Sequence, residues 1–166
     1  MTTVDMRAAT LLALVLLLAA IGTAWGFQIF GGIAPCALCL EQRVPYYAAI
    51  PLAIVALLLA PRAPVLARAL LVLAAAAMAY GAGLGVYHAG AEWAYWPGPN
   101  TCGGAQQEVR DASSLLSAIE ETHLVTCTQD TGRVLGLSFA GWNVVAASLC
   151  VILLLFGATR PARRTV

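Results

Sequence analysis

The sequence predicts an all-α membrane protein, a four-transmembrane-helix bundle with two outer loops and a short amphipathic helix in the second of them. Three observations carry that prediction. Apolar residues make up 61% of the 166 and charged ones only 10%, against roughly 45–50% and about 25% in an average soluble protein. The few charges leave uncharged stretches over 8–40, 44–61, 69–91 and 134–159, each long enough for the 17 to 25 or so apolar residues that cross a hydrocarbon core of about 30 Å. Finally, the connection Pro61–Pro64 is so short that its flanking segments must form an antiparallel hairpin.

Taken in order, the spans are expected near 9–28, 44–60, 66–87 and 137–157, within a single integral membrane domain over 1–166. The first segment has a basic start and small residues near Gly22–Ala24, as a cleaved signal peptide would. Its apolar run, nearer 20 residues, exceeds the roughly 7 to 15 of a signal core, which favours a retained span. In the third, Gly81 and Gly85 of GAGLG have the spacing that lets membrane helices approach closely. Trp25, Tyr87, Trp93, Tyr95, Trp96 and Trp142 fall near one predicted boundary, where amphipathic rings settle at headgroup level.

Orientation follows from the arginines, the chain having no lysine. Arg7, Arg62, Arg68, Arg160, Arg163 and Arg164 share the side of the termini; Arg43, Arg110 and Arg133 share the other. Positive residues are retained on the cytoplasmic side, so both termini are expected there. The loops near 29–43 and 88–135 then face outward with seven of the eight acidic residues, all but Asp5. Within the second loop Ala112, Leu115, Leu116 and Ile119 repeat at helical spacing, the mark of a short amphipathic helix. A net charge of +1 gives no sign of a nucleic-acid partner.

Of five cysteines, Cys36, Cys39, Cys102 and Cys127 are expected on the outer side, and Cys150 within the fourth span as a small apolar residue. Four cysteines in an oxidising compartment form two disulfides, with three pairings possible. The topologically simplest keeps each pair within one loop. Closing the longer loop between Cys102 and Cys127 would stabilise the fold by roughly 3 to 4 kcal/mol in the chain-entropy model. The C-x-x-C ring is too small for that, and its use is redox chemistry, one sulfur reacting as thiolate and the other resolving the intermediate. A zinc site over all four cysteines is the competing reading; its second half would be spread over 26 positions, against the close pairs usual for structural zinc.

If the second helix begins near Pro35, Cys36 and Cys39 lie in its first turn, with Arg43 on the same face at i+7 and i+4. Pro45 opposes this continuity by removing a backbone donor. Arg43 could instead be an arginine snorkelling to the interface. His88, ending the third span, could bond a ligand carbonyl or satisfy the neighbouring backbone.

The stretch C-A-L-C-L-E-Q-R-V-P-Y at positions 36–46, with four spans and cysteine pairs in both outer loops, resembles the disulfide bond formation protein B (DsbB) family across nearly the whole length. The resemblance implies a thiol:quinone oxidoreductase of the bacterial inner membrane that re-oxidises a periplasmic thioredoxin-fold oxidase of the DsbA kind. Cys102 would form the mixed disulfide with that partner, with Cys127 its pairing cysteine. Cys36 would exchange with the loop pair, and Cys39 would be the thiolate facing ubiquinone or menaquinone, beside Arg43 and His88. Glu41 stands where the family leads one to expect an apolar or aromatic residue. The vitamin K epoxide reductase class, also quinone-linked, is disfavoured because its C-x-x-C is expected late in the chain. A membrane protein whose disulfides merely brace its loops is the non-enzymatic rival.

Overall fold

The computed structural model describes residues 5–99 and 133–161. Cys102, Cys127 and the amphipathic helix expected over 112–119 lie outside them. The described elements are α1 (Met6–Ile29), α2 (Ala37–Glu41), α3 (Val44–Leu59), α4 (Pro64–Glu92), the strands β1 (Arg133–Val134) and β2 (Leu137–Ser138), and α5 (Phe139–Thr159). Four segments are long and apolar enough to cross a membrane: α1, α4, α5 and the combined Ala37–Leu59. The chain is a multi-pass membrane protein built as a helical bundle.

Its packing fits lipid surroundings. The interior is lined by small side chains, among them Ala13, Ala49, Ala53, Ala67, Ala74 and Ala147, while Leu12, Val15, Leu58, Leu73 and Ile152 face outward. Because lipid is as apolar as leucine, helices associate here through close backbone approach. Gly81 and Gly85 of α4 act in this way. A Cβ at Gly81 would lie 3.0 Å from the Pro45 ring of α3, and one at Gly85 2.9 Å from Val144 and 3.1 Å from Asn143 of α5.

The ends of the helices follow their caps. Asp5 accepts a hydrogen bond from the Ala8 N–H at 2.9 Å and starts α1 three residues before the expected position. Proline at the first position of α4 needs no amide partner, and that helix runs to Glu92, so His88 and Glu92 share its last turns. Ahead of α5, a hairpin turns at Leu135 and Gly136, whose φ values of 53° and 84° suit a two-residue connection; Ser138 then caps the helix through the Gly141 N–H. The backbone N–H of Met6 donates to the Pro161 carbonyl at 3.4 Å, so both described ends of the chain meet at the pole of the bundle opposite Cys36.

The continuous second helix expected from Pro35 through Arg43 is divided. Pro45 has no N–H to give the Glu41 carbonyl, α2 closes at Glu41, and the Arg43 N–H tightens onto the Leu40 carbonyl before α3 begins at Val44. Across the break Arg43 still lines the same cavity as Cys39. Its guanidinium reaches α1, donating to Gln28 Oε1 at 2.6 Å and to the Ala24 carbonyl at 3.4 Å, and lies 5.1 Å from the centre of the Trp25 ring.

Candidate active site

Cys36 is the N-cap residue of α2. Its extended backbone swings Sγ over the following turn, where it accepts the Cys39 N–H at 3.2 Å. The two sulfurs are free thiols 2.9 Å apart, and His88 Nε2 stands 3.7 Å from Cys36 Sγ. The Cys39 thiol hydrogen-bonds the Cys36 sulfur; with His88 and the Cys39 N–H it outweighs the cost of burial and holds Cys36 far below the ordinary thiol value, at about 4. In the reduced pair Cys36 is therefore the thiolate and Cys39 the thiol that supports it.

The orientation of His88 is set by a chain of polar side chains drawn from three other segments. Tyr46 OH donates to Asn143 Oδ1 at 2.8 Å, Asn143 Nδ2 to Gln42 Oε1 at 2.6 Å, and the Gln42 amide nitrogen meets His88 Nδ1 at 2.7 Å. Each amide has one end fixed by its neighbour, so Gln42 can only donate to Nδ1. Neutral His88 accordingly carries its proton on Nε2, pointing at the Cys36 sulfur. Glu92 approaches the same nitrogen, its Oε1 3.7 Å from Nε2.

Beside this cluster lies a cavity of about 540 Å³, within the range of sites for small ligands. Its walls are largely apolar, with Leu16, Ala20, Phe27, Phe139 and Ala146 among them; its lining also includes Cys39, Arg43, His88 and Glu92, but not Cys36. Arg43 is 8% exposed, and no carboxylate among the described residues pairs with it. Five N–H donors with two partners at hydrogen-bond distance leave the guanidinium able to take a ligand oxygen. A largely apolar slot whose lining includes a buried cation and an imidazole fits the ring and carbonyl oxygens of a quinone.

The structure thus brings together four of the residues singled out in the sequence, Cys36, Cys39, Arg43 and His88, whereas Cys102 and Cys127 lie outside the described residues. Cys150 is buried in the apolar core, and Glu41 is exposed at the end of α2. Sequence reasoning missed Gln42, Tyr46, Asn143 and Glu92. A signal for the amides was present: Gln42 and Asn143 are polar side chains bordering or inside apolar spans, where polar groups need a partner. Cys36, Cys39 and His88 also bring three side-chain donor atoms within 4.8 Å of one another; the four-cysteine zinc arrangement would need the two loop cysteines.

A polarised dithiol opening on an apolar cavity inside a bundle of membrane-length helices defines a membrane-embedded dithiol oxidoreductase. The model of the family described as disulfide bond formation protein DsbB matches residues 6–157. The chain belongs to that family, whose members are membrane oxidoreductases of disulfide-bond formation. Neither the curated proteins nor the solved structures compared with it gave a match.

Proposed function

We propose that the protein is a thiol:quinone oxidoreductase of the bacterial inner membrane, re-oxidising a periplasmic DsbA-like dithiol oxidase and passing its electrons through Cys102–Cys127 and then Cys36–Cys39 to ubiquinone or menaquinone. The observation that carries this reading is the division of labour within the C-x-x-C. Cys39 faces the cavity with Arg43 and His88, while Cys36, outside the lining, takes the hydrogen bonds of Cys39 and His88 that favour a thiolate.

Each residue then has a task. A thiol of the loop pair attacks Cys36 Sγ, the Cys36–Cys39 bond breaks, and the displaced sulfur is the one on the cavity wall. The second thiol of the loop pair then releases Cys36 as the thiolate, and Cys39 is left as the sulfur that faces the quinone. Arg43 and His88 would hold the oxygens of a quinone, and the apolar walls its ring and tail. When bound, the quinone supplies a sink for two electrons and two protons that a stable disulfide cannot. The low value of Cys36 assists the first transfer, because stabilising the reduced form makes a dithiol pair more oxidising.

The test is absorbance-monitored reduction of ubiquinone and of menaquinone by a reduced thioredoxin-fold oxidase, using the purified protein and its Cys39→Ser variant. Turnover that disappears in the variant supports the reading. Absence of turnover with either quinone, in protein whose cysteines are correctly paired, overturns it in favour of disulfides that brace the loops.

A further inference from the structure

Glu92 closes α4 one turn beyond His88, and its position is unusual for a carboxyl group. Its side chain is 4% exposed, Oε2 is buried with no hydrogen-bond partner, and Oε1 lies 3.7 Å from His88 Nε2. The residue also lines the cavity that Cys39 faces. Leaving a buried carboxyl oxygen unpaired costs free energy that an apolar side chain would avoid. Such groups call for an explanation, and a proton-carrying role is one that geometry can test.

The geometry points to Glu92 as the proton donor of the quinone-reducing step, an assignment that rests on the function proposed above. A dithiol held as Cys36 thiolate and Cys39 thiol has two electrons to give but only one sulfur-bound proton, whereas a quinone must gain two of each. The balanced step takes Cys36–S⁻, Cys39–SH, the Glu92 carboxylic acid and quinone to the Cys36–Cys39 disulfide, hydroquinone and the Glu92 carboxylate. Glu92 regains its proton from the aqueous face at the end of α4. The cycle closes because re-reduction of the disulfide by the loop dithiol puts one proton back on Cys39 and releases the other.

The groups around Glu92 suit this role. His88 is the titratable neighbour on its own helix, Cys39 shares the cavity with it from the α2 turn, Cys36 lies beyond His88, and Arg43 shares the cavity from the junction with α3. From α5 and α1 the cavity's polar side chains include Asn143 and Gln28, neither of which titrates. His88 Nε2 is equally 3.7 Å from Glu92 Oε1 and Cys36 Sγ. A small shift of either side chain makes a hydrogen-bonded path from the carboxyl group to the sulfur.

The test compares full-length protein with Glu92→Gln, which keeps the shape but cannot ionise, and Glu92→Asp, which keeps the acid. In quinone-free reduced protein, infrared spectroscopy should show a protonated-carboxyl band that is lost in Glu92→Gln. With quinone, kcat of Glu92→Gln should fall about 100-fold, the lower end of what general acid catalysis contributes, with KM little changed; Glu92→Asp should recover much of it. An infrared band unchanged in Glu92→Gln, or a Glu92→Gln kcat equal to wild type, overturns the assignment. Wild-type protein that reduces no quinone overturns the proposed function instead, and the infrared comparison then still decides whether Glu92 holds a proton beside the dithiol.

Discussion

At the scale of single residues, Cys36 and Cys39 are separated by three positions, and only Cys39 lines the cavity. Cys36 collects the Cys39 thiol, the Cys39 N–H and His88, which bring its value from the ordinary 9.0 to about 4. Reduced protein at pH 6 is therefore expected to show thiolate absorbance that Cys36→Ser removes; a midpoint between pH 8 and 9 would contradict the arrangement. The sign of the linkage is fixed by the same shift. A depressed thiol value favours the folded reduced state above pH 9, and the advantage fades as pH falls through the range towards 4. Chemical denaturation of reduced protein should show stability rising with pH across that window, and the same measurement on His88→Ala should show a smaller rise. For Arg43 the expected loss is in binding. Removing one charge-assisted hydrogen bond costs about 1.5–3 kcal/mol, so Arg43→Met should raise the KM for quinone at least tenfold while leaving the thiolate midpoint near that of wild type.

At the scale of elements, α4 is the piece on which the site depends. Gly85 brings Asn143 close enough to complete the chain from Tyr46 through Gln42 to His88, and a methyl group there would meet Val144 at 2.9 Å and Asn143 at 3.1 Å. Gly85→Ala should destabilise the bundle by about 1–3 kcal/mol, as overpacking does, and should disturb His88; Gly83→Ala, which meets nothing within 4 Å, should not. Thermal unfolding and the thiolate midpoint of the two variants check this. The spans were legible in the sequence because bilayer thickness demands a certain length of uncharged chain, and the small-residue spacing at Gly81 and Gly85 correctly pointed to packing. Pro45 supplied the physical reason for the division of α2 from α3, although the sequence alone left the continuous helix standing. What could not be read was which polar residues meet. Gln42 and Asn143 are 101 positions apart, and only the packing of α4 between α3 and α5 brings them into one chain. Glu92 looked like one more acidic residue of a surface loop until α4 proved to extend over it.

At the scale of the whole molecule, the dithiol and its cavity occupy one pole of the bundle, and the described chain ends occupy the other. Which pole faces outward is decided by charge, since apolar spans insert equally well either way and arginine is retained preferentially on the cytoplasmic side. Among the described residues, Arg7, Arg62, Arg68 and Arg160 lie towards the pole of the termini and Arg43 and Arg133 towards the pole of the dithiol, which predicts that the dithiol opens on the oxidising side. Alkaline phosphatase folds only where its own disulfides form, so fusing it at chosen points reads the orientation directly. A fusion after Tyr95, at the end of α4 that carries His88 and Glu92, should be active; a fusion after Arg62, in the turn between α3 and α4, should be inactive. The reverse pattern would put Cys36 and Cys39 in a compartment that keeps thiols reduced. A relay from an exported oxidase to the membrane would then be impossible, however well the cavity suited a quinone.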